Sequence, residues 1–271
     1  MKLYSFSLRC LQRCFVSIFL SCESVVIFSL ASFFVYQMAL LSRIFLRLFP
    51  NNGIFYSLEY LKPEVVLSEK NRKSFIEKFK ASRVPQVDGN AIPQAAVLVP
   101  LCMHKGELGF LYTLRSTKLT SNRGQVSFPG GMHDKEDRSL EETALRETWE
   151  ELKIPREKID VWVSGNMIDK RNVIVLPVFG YIGEIDPEKL EINVNEVEEA
   201  FFLSLKNLCD LSVCRFTQFR ENYTLPVYLG GKHRVWGFTA AITHIALNAL
   251  VPDAYKHKLV CSRPMLLEKK R

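Results

Sequence analysis

Apolar and polar positions divide the chain into three regimes. In residues 14–41 nearly every position is apolar or small, and Glu23 is the only charge. A helix needs roughly 20 such residues to cross a bilayer. Residues 64–82 change to a polar-amphipathic pattern that predicts a helix, with Val65, Phe75, Ile76 and Phe79 on its apolar faces. From residue 94 onward, short apolar runs alternate with turn signals. Residues 95–103 and 108–115 predict two strands around a turn at 104–107, and 124–129 a further extended run. The strongest helix pattern covers 139–152. Strands are expected at 161–167, 173–185 and 198–205, followed by a short helix at 206–211. Residues 224–228 and 234–236 predict a hairpin across Gly230-Gly231. Residues 237–250 predict a closing helix whose apolar face carries Phe238, Ile242, Ile245, Ala246 and Ala249.

Break signals at 49–53 and 85–93 organise these elements. The expected layout is an apolar leader (1–52), a helical extension and loop (53–93), a main domain (94–252) and a basic tail (253–271). Strands and helices in this order fit an α/β (α+β) fold, a mixed β-sheet sandwiched between helices.

Composition changes this picture at the ends only. Of the net charge of +7, four units come from residues 1–50, which hold five Lys/Arg against Glu23. Lys256, Lys258, Arg263, Lys269, Lys270 and Arg271 charge the tail, so the body is near neutral. No basic stripe with interleaved aromatics is present, and no nucleic-acid partner is expected. Seven cysteines without a C-x-x-C pair argue for a reducing compartment and against a zinc site; Cys102 and Cys209 read as core filler. The leader admits three readings. It is a membrane anchor through residues 14–41, with Lys2, Arg9 and Arg13 holding the N-terminus in the cytosol. Or it is a cleaved signal. Or the functional chain starts at Met38, where MALLSRIFLRLF resembles an organelle transit segment.

The candidate chemistry lies in 129–154. Ser139-Leu140-Glu141-Glu142 matches a capping box, which starts the helix after Ser139. Ala144, Leu145, Thr148 and Leu152 make its apolar stripe. Glu147, Glu150 and Glu151 then share a neighbouring face, where like charges cost a few tenths of a kcal/mol per pair. A hard divalent cation, Mg²⁺ or Mn²⁺, would offset them and leave room for phosphate oxygens. A solvated acidic face is the plainer reading of the helix alone. Gly130 and Gly131, just upstream, allow close approach of backbone to phosphate or metal.

Gly131, Asp137, Arg146-Glu147 and Glu150-Glu151 together resemble the Nudix box, G-x5-E-x7-R-E-U-x-E-E-x-G-U. The chain departs from it in four ways. Gly131 to Arg146 is one position longer, Asp137 replaces Glu, Thr148 replaces an aliphatic residue, and Lys153 replaces the closing Gly. The longer spacing is similar to the branch of Nudix hydrolases that cleaves coenzyme A. So are Leu111-Tyr112-Thr113-Leu114-Arg115-Ser116 and Gly124-Gln125-Val126-Ser127-Phe128-Pro129-Gly130-Gly131, although Thr120 stands where that run commonly has Arg. Leu176-Pro177-Val178, Asn195-Glu196-Val197 and Trp236-Gly237-Phe238-Thr239-Ala240 extend the resemblance to about 94–250.

The resemblance implies a Nudix fold and metal-dependent hydrolysis of the diphosphate of coenzyme A and acyl-CoA. Another nucleoside diphosphate derivative, such as ADP-ribose or a dinucleotide, and a non-catalytic Nudix-like binding module are the alternatives. Glu147 and Glu151 are then the chief metal ligands and Glu150 a third ligand or their supporting partner. Arg146 orients a carboxylate. Glu150, Arg146 and Glu196 form the catalytic set, with Glu198 the other candidate base. Arg115, Arg123, Gly130 and Gly131 are implied on the substrate, against a reading of the two arginines as ordinary surface residues. His104, His133, His233 and His244 are expected to be structural. Relatives of this kind are often peroxisomal, yet the chain ends in Glu268-Lys269-Lys270-Arg271 with no S-K-L-like terminus. The leader points instead to a mitochondrion or a membrane.

Overall fold

In the computed structural model, residues 58–82, 93–170, 173–218 and 224–257 are described. The 14–41 run, most of the 85–93 loop and the tail beyond His257 lie outside these residues. Among the described residues no helix is long and apolar enough to cross a membrane.

The alternation of side chains along one strand organises the domain. In β1 (Gln94–His104), Ala96, Leu98 and Cys102 enter one core layer, while Val99 and Leu101 enter the other. β2 (Glu107–Arg115) follows through a tight turn in which Lys105 and Gly106 take φ of 49° and 79°, as a short hairpin between twisted strands requires. β3 (Val126–Ser127) pairs with β2, and β4 (Gly130–Met132) pairs antiparallel with the first residues of β1. On the other side of β1 lies β7 (Ile174–Glu184), parallel to it, flanked by β5 (Asp160–Ser164) and β6 (Ile168–Asp169). β8 (Val197–Ser204) adds to β2.

Helices cover both faces. α3 (Leu140–Leu152) buries Ala144, Leu145 and Leu152 against Ala96, Leu98 and Val178. The opposite face receives α2 (Glu69–Lys80) and α5 (Gly237–Leu250), with Phe75 and Phe79 stacked on each other, Phe75 tilted against Phe179 and Phe79 edge-on to it. The mixed sheet between helices is the architecture the pattern predicts. The helical extension also contributes fully buried aromatics to the main core.

Some expectations shift. The helix over 64–82 is two, α1 (Pro63–Val66) and α2, because Ser68 turns the chain and caps α2 by accepting from the Asn71 N–H. Val66 is buried there and Val65 exposed. In α5 the buried face carries Thr239, Thr243, Leu247 and Leu250, while Phe238 and Ile245 are only partly buried. α4 (Leu205–Cys209) follows β8 directly. The last hairpin joins β9 (Cys214–Gln218) to β10 (Thr224–Tyr228), and Val235 adds one bridge to Tyr228. The mixed polarity of Cys-Arg-Phe-Thr-Gln hides β9 from a search for apolar runs. Cys102 is buried in the core and Cys209 packs against it partly buried, and burial pushes the Cys209 thiol up to about 12.

Candidate metal and substrate site

Ser139 caps α3 by accepting from the Glu142 N–H at 3.2 Å. Glu142 in turn accepts from Arg138 N–H at 2.9 Å, one residue earlier than in the standard reciprocal box. At the far end Lys153 closes the helix at φ 54°, where the family pattern has Gly, and its ammonium lies 5.3 Å from the Trp149 ring. Two acidic corners adjoin the helix, one in the segment before its cap and one along its length.

The first is built on Asp137, whose side chain is only 3% exposed. Arg146 donates to it twice, Nε at 2.9 Å and Nη2 at 3.0 Å, and the Thr143 hydroxyl donates at 2.8 Å. The Arg146 guanidinium holds the Asp137 carboxyl well below the usual carboxylate range. Arg146 Nη1 reaches Glu147 at 3.0 Å and Glu150 at 3.1 Å. Glu150 is 44% exposed and faces this arginine. His133 Nδ1 lies 3.0 Å from the Thr143 hydroxyl.

One step around the helix the balance changes. Glu147 and Glu151, four residues apart, share a face with Glu196, and one carboxylate oxygen of each lies within 4.8 Å of the others. Glu196 arrives on the loop before β8. That loop is tied to the helix by Asn193 N–H to the Glu151 carbonyl (2.9 Å), and to β2 by Ser116 N–H to the Glu196 carbonyl (2.8 Å). The β2–β8 register shifts after Leu114, so Glu196 turns inward beside Asn193 while Glu198 is exposed. Glu151 is 2% exposed. Burial raises its carboxyl to about 8, against the pull of Arg115 and the Gly130 N–H. Burial also raises Glu147, opposed by Arg146. Glu151 Oε2 has no hydrogen-bond partner, nor has Arg115 Nε, although Arg115 Nη1 stands 3.8 Å from Glu151 Oε1.

The glycines serve this corner through the backbone. β4 runs so close to α3 that a Cβ on Gly131 would collide with the Glu147 carboxylate, and one on Gly130 with the Ala96 carbonyl. The two glycines thus lie in a short strand, paired with β1. Arg123 is exposed in the loop between β2 and β3.

Of the expected residues, then, Glu147, Glu151, Glu196 and Arg115 converge. Arg146 binds the structural corner while touching Glu147, and Glu150 stands outside the trio. Helical spacing alone cannot tell the faces of Glu150 and Glu151 apart with respect to a sheet it does not see. Asn193 and Lys170 carried no signal in the sequence. Lys170 sits in the turn between β6 and β7, its ammonium 5.2 Å from the Phe238 ring.

Three carboxylates with an unsatisfied buried oxygen fit a hard divalent cation. All donors are oxygen, and the two nearby cations, Arg115 at Glu151 and Arg146 at Glu147, leave the third carboxylate without one. Such an ion, when bound, supplies charge neutralisation at a phosphate and a more acidic bound water.

Residues 92–222 match the NUDIX domain family. The chain is 44% identical to mitochondrial coenzyme A diphosphatase NUDT8 of Mus musculus, over 61% of this chain and 81% of that protein. It is 46% identical to the Homo sapiens protein of the same name, over 61% and 72%. Nudix hydrolase 3 of Caenorhabditis elegans is 35% identical over 66% of this chain and 83% of its own length. With the box, the mixed sheet and these relatives in agreement, the chain belongs to the Nudix hydrolase family.

Proposed function

We propose that this Nudix hydrolase cleaves the diphosphate bond of coenzyme A and acyl-CoA, giving 3′,5′-ADP and (acyl-)4′-phosphopantetheine. The observation that carries the reading is the trio Glu147, Glu151 and Glu196, in which the buried Glu151 keeps one oxygen without a partner, with Arg115 beside it. The names of the mammalian relatives support the substrate. Mg²⁺ or Mn²⁺ is the resident ion, held by Glu147 and Glu151.

Each residue then has a task. Glu196, on a different element from the other two, is the carboxylate that accepts a proton from the attacking water. Arg115 faces the substrate's diphosphate, which satisfies its free Nε. Arg146 locks Glu147 in orientation, and Glu150 steadies Arg146. Gly130 and Gly131 let the β4 backbone close over the carboxylates. Both mammalian relatives carry the word mitochondrial in their names, which agrees with the transit-segment reading of a start at Met38.

A substrate panel tests the reading. With Mg²⁺ or Mn²⁺, the purified protein is expected to turn over coenzyme A and acyl-CoA at least about tenfold more efficiently than ADP-ribose or a dinucleotide. Equal or better cleavage of ADP-ribose would overturn it.

A further inference from the structure

The carboxylates of the trio are not held alike. Arg146 donates to Glu147 and Arg115 stands at Glu151, so each of these lies beside a positive charge. Glu196 is held by a neutral amide. Asn193 Nδ2 donates to Glu196 Oε1 at 2.8 Å. The other end of the same amide is fixed as well, because Asn193 Oδ1 accepts from the Asn195 N–H at 3.2 Å. Turning the amide over would set its oxygen against the carboxylate and its NH₂ against an N–H. Only one orientation satisfies both partners.

The main chain of Asn193 gives that amide a fixed origin. Its N–H donates to the Glu151 carbonyl at 2.9 Å. Its carbonyl accepts from the N–H groups of Glu196 (2.9 Å) and Val197 (2.8 Å). Every polar group of Asn193 therefore has a partner, with the end of α3 on one side and Glu196 on the other. The intervening Val194 and Asn195 are exposed, so these bonds rather than buried side chains set where Glu196 points.

Resting on the assignment of Glu196 as the proton acceptor, we infer that Asn193 is a positioning residue for the hydrolysis. Its amide fixes the Glu196 carboxylate by one oxygen and leaves the other to the attacking water. In that step a water proton passes to Glu196, the water oxygen bonds to phosphorus, and the bridging P–O bond breaks. An ammonium or guanidinium in place of the amide would also orient the carboxylate. Its charge, however, would favour the ionised form and weaken the base. A neutral donor orients without that loss.

Asn193→Asp separates this role from a structural one. Aspartate keeps the oxygen that accepts from the Asn195 N–H and suits such a turn equally well, but it has no donor for Glu196. With Mg²⁺ and coenzyme A, kcat is expected to fall about fiftyfold while KM stays within about twofold. In a Glu196→Gln background the same substitution should change kcat by less than about twofold, since no base is left to orient. Thermal melts in chelator give a readout independent of turnover. Asn193→Asp should lower Tm by about 3 °C, and adding Glu196→Gln should restore it, because amide and carboxylate have then exchanged places. Asn193→Ser, which keeps a turn-forming hydroxyl and lacks the amide, repeats the kinetic comparison if Asn193→Asp does not fold. Wild-type turnover in Asn193→Asp, the same loss in both backgrounds, or a Tm that Glu196→Gln does not restore overturns the positioning role. A Glu196→Gln variant as active as the wild type defeats the assignment of Glu196 instead, so the two failures are distinguishable.

Discussion

Two acidic corners adjoin α3, one built on Asp137 just before it and one on Glu147 and Glu151 along it, and they solve the problem of buried charge in opposite ways. At Asp137 every carboxylate oxygen has a donor, two of them from one guanidinium. At Glu151 one oxygen has none, and the arginine that faces it also keeps a nitrogen free. A buried carboxylate with full hydrogen bonding is a structural device. One left short, in a protein otherwise well satisfied, marks where the fold has given up stability for another purpose. On the proposed function, the difference separates the residues that hold the helix in place from those that act.

Replacing Glu151 tests that division most severely. Glu151→Gln is expected to lower turnover about a thousandfold, since it weakens the cation site and its charge. The same change should not lower metal-free stability. Glu151 has a folded value of about 8, above its unfolded one. Its burial is therefore tolerated at low pH and destabilises the fold progressively as pH rises from about 4.3 to about 8. Thermal melts in chelator should show that downward slope in the wild type and a flatter profile in the Gln variant. An inactive variant that is also less stable at pH 8 would erase the contrast between the corners.

Asp137→Asn is the mirror experiment. Removing one side of a buried, bidentate pair is expected to cost about 3 kcal/mol, or roughly a 10 °C fall in Tm for a domain of this size. Because Asp137 is held below its unfolded value, the stabilisation it gives is fully present above about pH 4 and is lost progressively as pH falls below that value. The Asn variant should therefore show a flatter acid limb. Glu150→Gln is expected to have the smallest effect. Its pair with Arg146 is half in solvent, so the loss is about 0.5 kcal/mol. Turnover should stay at least tenfold above that of Glu151→Gln. Equal loss in both variants would return Glu150 to the metal.

Which parts of this were readable in the sequence follows from the range of the interactions. α3 was legible down to its cap and stripe, because Ser139, Ala144, Leu145, Thr148 and Leu152 act within a few residues of one another. β1, β2 and their turn were legible for the same reason. The choice between Glu150 and Glu151 was not, since it depends on which side of the helix meets β4. The partnership of Glu196 with Glu151 depends on a bond between Asn193 and the end of α3, some forty residues away. Lys170 meets Phe238 only because β6 ends near the place where α5 begins. The split of α1 from α2 turned on one serine, which an amphipathic pattern passes over.

The bond from Asn193 to the Glu151 carbonyl has a mechanical consequence. It links the last turn of α3 to the loop that bears Glu196, and Ser116 pins that same loop to β2. The three carboxylates thus ride on one braced frame, like the jaws of a fixed caliper. Breathing of the sheet can tilt or carry the frame without opening the jaws, so the gap is gauged to an ion before any ion arrives.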